Sequence, residues 1–400
     1  MQDRKTIKVA AKSIFKVFGD TPDAALRLLR DGQTKEEIFE TTGNTIGVQD
    51  ASFDVGEGQI FVVMGLSGSG KSTLVRMING LIAPTSGQML IDGTDVANCS
   101  DKVLRDVRRS KIAMVFQHFA LFPHMTVADN VAYGLKIKGL GAAERRKKAE
   151  EALGQVSLAA YADSYPDELS GGMQQRVGLA RGLASDAEIL LMDEPFSALD
   201  PLIRRDMQEE LLELQRSLKK TIIFITHDLN EALILGDRIA IMKDGRFVQV
   251  GTAEEIVDQP ADDYVAAFTA DIDRSRVFTA GSVAVPAEAL DIRTDTAETA
   301  IARMEALGRD ALHVTEGDAI LGVVAYRDLS ASLREGADDA VLKDSMVTDF
   351  PKVGRTTQLF ELYALAESGL PIAVTDRKGK LMGVVAPQDV FAKLATPVAA

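Results

Sequence analysis

The sequence has no tryptophan, a single cysteine and only four histidines in 400 residues. One cysteine, Cys99, cannot close an internal disulfide; it reads as an ordinary loop residue in a reducing compartment. No window holds 18 uninterrupted apolar residues, so no helix is expected to span a bilayer by itself. The opening "MQDRKTIK" lacks the apolar core of an export signal, and a cytosolic placement is expected. Basic residues are also in deficit. The formal net charge of −14 and a pI near 4.9 disfavour binding to nucleic-acid backbones.

What is present is an ordinary globular composition, 46% apolar and 26% charged, in a chain long enough for two or three domains. "GQIFVVM" reads as a buried strand and "KSTLVRMINGL" as an amphipathic helix. Between them Gly65, Leu66, Ser67, Gly68, Ser69 and Gly70 form a glycine-rich turn, and Lys71, Ser72 and Thr73 open the helix. Gly65-x-x-x-x-Gly70-Lys71-Ser72 fits the phosphate-binding loop at every fixed position. Glycines let backbone N–H groups turn inward as an anion nest, Lys71 is placed to reach the β- and γ-phosphates, and Ser72 to ligate Mg²⁺. A second apolar strand, "AEILLMDEP", ends in two acids. Asp193 is placed to hold Mg²⁺, and Glu194 to polarise an attacking water.

"LSGGMQQR", residues 169–176, resembles the signature sequence of ABC transporter ATPases, with Met173 where that family usually has Gln. Further motifs follow the family's order: Gln117 resembles the Q-loop glutamine, "SALD" ending at Asp200 the D-loop, and His227 in "FITHD" the switch histidine. The resemblance covers roughly residues 5–270. It implies an α/β P-loop cassette with a helical signature subdomain, binding ATP and Mg²⁺ and hydrolysing ATP. Two such subunits would sandwich the nucleotides, with Ser170, Gly171 and Gly172 serving the partner's phosphate at a helix N-terminus. Within the resemblance, Glu194, His227 and Gln117 are catalytic, Ser72, Gln117 and Asp193 contact the metal, and Phe18 stacks on adenine. Phe119, Leu121, Phe122 and Met125 would line a groove that grips a permease helix. His118, His124 and His313 read as unremarkable.

Two features narrow the resemblance. About residues 20–46 an insertion reads as two short helices, with a capping box at Thr34 and Glu37. This insertion and the wording of the phosphate loop resemble the ATP-binding subunits of glycine betaine/proline betaine importers of the ProU and OpuA type. In the last third, "ILGVVAYRDL" recurs as "LMGVVAPQDV", so Gly322 answers to Gly383 and two copies of one unit are expected. The repeat resembles a tandem CBS module, an α+β pair at about 280–335 and 340–397, within 271–400 and behind a cassette at 1–270. Nucleotide-binding CBS modules often have Ser or Thr where this chain has Ala325 and Ala386. That departure disfavours an adenosine ligand and favours dimer packing or ionic-strength sensing.

The expected function is ATP-driven uptake of a quaternary amine, with choline or an amino acid as the competing cargo. The expected partners are a second copy, integral-membrane permease subunits and, indirectly, an extracytoplasmic binding protein, at the cytoplasmic face of the membrane. A soluble ABC ATPase acting on nucleic acid is disfavoured by the acidic pI, and a phosphotransferase would have no use for "LSGG".

Overall fold

Strands that are apolar on both faces end up inside a layered domain, and alternating strands end up on one side of it. The chain obeys this division. Its computed structural model describes residues 6–117, 119–334 and 341–394, so His118 lies outside the described residues, as do the ends of both expected repeats. Two compact units emerge, Met1–Asp271 and Ile272–Ala400.

In the first unit the strands are β1 (Ile7–Phe18), β2 (Thr45–Gly56), β3 (Ile60–Met64), β4 (Ser86–Ile91), β5 (Thr94–Asp95), β6 (Ile112–Val115), β7 (Ile189–Asp193), β8 (Thr221–Thr226), β9 (Arg238–Lys243) and β10 (Arg246–Gly251). An antiparallel sheet has the order β2-β1-β4-β5, and a second sheet the order β10-β9-β3-β8-β7-β6. All neighbours in the second sheet are parallel except β9 and β10. Its inner strands are continuous apolar runs: every residue of β3 and β8 is buried. The register pairs Met64 with Thr226 and Asp193 with Ile225. The C-terminal ends of β3, β8 and β7 therefore finish side by side, where open parallel sheets bind ligands.

The helices include α1 (Pro22–Arg30), α2 (Lys35–Thr42), α3 (Lys71–Ile78), α4 (Asp101–Ser110), α5 (Val127–Ile137), α6 (Ala142–Gln155), α7 (Gly171–Ala184), α8 (Pro201–Leu218) and α9 (Leu229–Leu235). Helix α3 buries Leu74, Val75, Met77 and Ile78 in one core with Val9 and Phe53 of the antiparallel sheet and Phe61 and Leu191 of the parallel one. Helices α5, α6 and α7 pack on one another between β6 and β7. Between β1 and β2 lie α1 and α2. The Glu37 N–H donates to Thr34 Oγ1 at 3.3 Å and the Thr34 N–H to the Glu37 carboxylate at 2.8 Å, so the capping box forms. Ala25, Leu26 and Ile38 close a small core with Val17 and Ile46. Burying Leu26 and Ile38 contributes about 1.5–3 kcal/mol each, which anchors a pair of helices too short to persist alone.

The second unit is built twice from one pattern. Strand β12 (Ala289–Asp291), a helix (Ala297–Leu307), hairpin β13 (Ala311–Glu316) and β14 (Ala319–Ala325), and a closing helix (Tyr326–Arg334) make the first copy. The second has β15 (Lys352–Gly354), a helix (Leu359–Ala366), hairpin β16 (Ile372–Thr375) and β17 (Leu381–Val385), and a helix (Pro387–Leu394). Both copies pair the short strand parallel to the hairpin's first strand. The repeated glycine has one reason in both: a borrowed segment crosses the hairpin's second strand. Val347 bridges Val323 beside Gly322, where an added Cβ would lie 2.3 Å from Met346 Cγ. Strand β11 (Val285–Pro286) pairs with Val384 and Gly383, where an added Cβ would lie 2.9 Å from Ala284 Cβ. His313 lies in β13 and is fully buried.

Candidate nucleotide-binding and hydrolysis site

At the adjoining ends of β3, β7 and β8 lies a cleft of about 630 Å³. The turn from β3 into α3 uses left-handed or extended glycine geometry at Gly65, Gly68 and Gly70, with φ of 155°, 80° and 106°. Two of these glycines are also required by space. A Cβ on Gly65 would fall 2.1 Å from the Met242 carbonyl oxygen, and one on Gly70 2.4 Å from that of Gly47. The Lys71 ammonium is folded back into the loop and donates to the carbonyls of Gly65 (2.7 Å) and Leu66 (2.9 Å). Burial lowers its pKa, and the charges of Glu194 and Asp193 pull the other way. Leu66, Ser67, Gly68, Gly70, Lys71, Ser72 and Thr73 all face the cleft; Gly65 and Ser69 do not line it.

Asp193 closes β7. Burial, then the neighbouring charge of Glu194, raise its pKa, and Arg76 and Lys71 oppose them. Glu194 has φ +45°, a conformation costing an L-residue about 1–3 kcal/mol. Its N–H donates to the Ile225 carbonyl at 3.0 Å and its own carbonyl accepts from Ser197 Oγ at 3.0 Å, so both neighbours hold the strained peptide. The result aims the carboxylate into the cleft, 2.9 Å from His227 Nδ1. Phe18, at the end of β1, is exposed and forms the opposite wall. An added Cβ on Gly47 would lie 2.7 Å from its ring, so Gly47 is the gap that lets the ring approach β2 closely. Phe15, by contrast, packs on the core of the inserted helices.

Not every expected residue reaches the cleft. Gln117 stands just beyond β6, half-buried, outside the lining. Asp200 N-caps α8, accepting from the Ile203 N–H at 3.1 Å. Ser170 N-caps α7, accepting from the Met173 N–H at 3.4 Å. Gly172 packs directly on α8, where a Cβ would fall 2.6 Å from Ile203 Cγ2. Thus Ser170, Gly171 and Gly172 share one helix N-terminus but do not line this chain's own cleft. Sequence reasoning missed Thr45, Ile46 and Gly47, which do line it. A glycine inside a strand pattern, "TIGV", was the available signal for close backbone approach.

The transporter ATPase model described as "ABC transporter" matches residues 48–197, from β2 through the phosphate loop and signature to Ser197. The glycine betaine transport ATP-binding protein OpuAA of Bacillus subtilis is 49% identical over 96% of this chain and 91% of its own length. The glycine betaine/proline betaine transport system ATP-binding protein ProV of Salmonella typhimurium is 49% identical over 95% of both. The chain belongs to this family of ABC transporter ATP-binding proteins. The family's enzymatic activity is ATP hydrolysis coupled to transport. A dimeric structure of a bacterial ABC transporter cassette is 33% identical, with a TM-score of 0.51, and covers 61% of this chain and 98% of its own. A dimeric post-hydrolysis cassette bound to ADP and Pi matches equally well.

This ABC subunit carries a second concavity in the same unit, of about 850 Å³. Its walls are apolar at Met114, Phe116, Phe122, Tyr133 and Ile137 and cationic at Lys102, Arg105 and Arg109. Of the four residues expected in such a groove, Phe122 lines it, whereas Phe119, Leu121 and Met125 do not. Phe119 has turned toward the signature helix, its ring 3.9 Å from where a Gly171 Cβ would stand.

Proposed function

We propose that this chain hydrolyses ATP to drive import of a quaternary amine osmolyte such as glycine betaine or proline betaine. The observation that carries the reading is the convergence of the phosphate loop, Glu194 and His227 in one cleft. The residues fit ATP·Mg²⁺. The loop is a cradle that two added Cβ atoms would fill, and Lys71 is a buried cation resting on loop carbonyls. Ser72, which lines the cleft, and Asp193, which ends β7 just outside that lining, would supply oxygen ligands. Bound Mg²⁺ would neutralise charge developing on the phosphates. Phe18 stacks on adenine and Lys71 moves from the loop carbonyls to the β- and γ-phosphates. Glu194 orients and deprotonates the attacking water, and His227 holds that carboxylate and contacts the γ-phosphate. Gln117 would be a further side-chain oxygen donor toward the metal and the attacking water.

The signature residues Ser170, Gly171 and Gly172, with Asp200, would complete the site on a second copy, so the working unit is a homodimer. The relatives' names as parts of transport systems and the dimeric cassettes support that assembly. The groove walled by Phe116, Tyr133 and Ile137 would seat a cytoplasmic helix of an integral-membrane permease, placing the subunit at the inner face of the membrane. An extracytoplasmic binding protein would deliver the amine. The second unit is read as a tandem CBS module, because its two copies share strand–helix–hairpin–helix order. With permease and binding protein in vesicles, ATP should drive glycine betaine accumulation, and Glu194→Gln should abolish it. Uptake that persists in Glu194→Gln, or an amine that does not bind the complex, overturns the reading.

A further inference from the structure

Beneath the His227 loop lies a polar cluster centred on Glu231, a residue that none of the expected motifs includes. Glu231, in the first turn of α9, is 4% exposed. One of its carboxylate oxygens accepts from Thr226 Oγ1 at 2.6 Å; the other accepts from Gln208 Nε2 at 3.3 Å and lies 3.8 Å from Arg204 Nε. Thr226 immediately precedes His227, and its hydroxyl also accepts from the Asp228 N–H at 3.0 Å, so it ties together the two residues flanking the histidine. Arg204 and Gln208 lie one turn apart on α8. The Arg204 guanidinium also donates to the Leu199 carbonyl at 3.1 Å and pairs with Asp228 at 3.5 Å. Leu199 and Asp200 are the end of "SALD". One buried carboxylate is therefore bonded directly to Thr226 before His227 and is linked to the turn before α8 through its ion pair with Arg204.

We propose that Glu231 is a positioning residue that couples the Leu199–Asp200 turn to His227 and so holds the imidazole beside Glu194. This rests on the reading of His227 given above. Burying a carboxylate is expensive, and an apolar side chain of similar volume would commonly serve packing as well or better. The ends of this cluster are also informative: Thr226, Asp228 and Leu199 all adjoin the expected catalytic and dimer-facing groups. Burial raises the Glu231 pKa and the charge of Asp228 adds to that, while the Thr226 hydrogen bond, Arg204 and Gln208 lower it. Because neither Glu231 nor its partners line the nucleotide cleft, the coupling acts on turnover and leaves nucleotide affinity alone.

The test uses the full chain in complex with its permease. Glu231→Gln keeps the shape and removes the charge, and should lower kcat roughly tenfold while the Kd for ATP stays within about twofold. In a His227→Ala background, where the residual turnover is followed in single-turnover format, the same substitution should cost less than about twofold, because its route is already cut. A tenfold loss in that background, or wild-type kcat in Glu231→Gln alongside a crippled His227→Ala, overturns the coupling. Normal turnover in His227→Ala itself overturns the reading of the histidine, and the coupling with it. Should Glu231→Gln fail to fold, Thr226→Val breaks the same link from the strand side and must show the same pattern.

Discussion

Each unit of the chain places a histidine beside a cavity, His227 at the nucleotide cleft and His313 at one of about 310 Å³ in the second unit, and the two are held in opposite ways. His227 is more than half exposed at its side chain and rests on a carboxylate at 2.9 Å. His313 is fully buried in β13, edge-on to the Phe350 ring, with neither ring nitrogen in a hydrogen bond of normal length. Its pKa falls to about 4, chiefly because burial penalises the imidazolium, and the Pro371 backbone offsets only part of that. One imidazole is exposed and paired; the other is buried and held neutral. Backbone strain divides in the same way. Among the described residues, every non-glycine with positive φ belongs to the first unit, and Glu194 is one of them. Chemistry is thus expected where side chains are accessible and backbones are strained, and a supporting role where they are not.

The largest expected effect is at the strained carboxylate. Glu194→Gln should lower turnover by about 10²–10³ with ATP binding retained, checked by phosphate release and equilibrium nucleotide binding. Next, Lys71→Ala should weaken ATP binding at least roughly tenfold, since a phosphate-paired cation disappears; isothermal titration reads this directly. A mixture of Lys71→Ala and Ser170→Arg chains, once exchange is verified, should recover activity that neither variant has alone. Two inactive partners giving an inactive mixture would break the two-copy site.

In the groove, Arg105→Glu should weaken assembly with the membrane partner several-fold and make it less salt-sensitive, measured by pull-down over a salt series. The smallest effect concerns the buried histidine. An unfolded chain takes up its proton below pH 6.5, while folded His313 refuses it until about pH 4. Stability is therefore lost on acidification between those values, by up to about 1.4 kcal/mol per pH unit, and is unaffected by this group above pH 6.5. His313→Leu should flatten that part of the urea-unfolding profile without changing ATP hydrolysis.

What was legible in the sequence was local. The phosphate loop is a run of adjacent residues whose spacing encodes the nest, and the capping box at Thr34 needs only its own first turn. The repeat could be seen in Gly322 and Gly383, but its cause could not. Val347 and β11 reach those glycines from other parts of the chain, and no periodicity announces a borrowed strand. Nothing in the sequence singles out Glu231, Gln208 and Arg204, because burial by an element distant in sequence leaves no mark in helical spacing. The packing of Phe119 beside Gly171 was not legible for a related reason: an apolar loop shows that something will be covered, without showing which neighbour covers it.

Gly172 has a bearing on how the signature should be mutated. It packs so close to Ile203 that even a methyl group there pushes on the helix that Asp200 caps. A dead Gly172→Ala chain would accordingly confound a lost anion site with a jammed joint between two helices. Trimming Ile203 to alanine makes room for that methyl group and gives a suppressor test. Activity regained in the double variant assigns the defect to crowding against Ile203, and activity still absent assigns it to the methyl group's effect on the glycine's own backbone and its access to an anion.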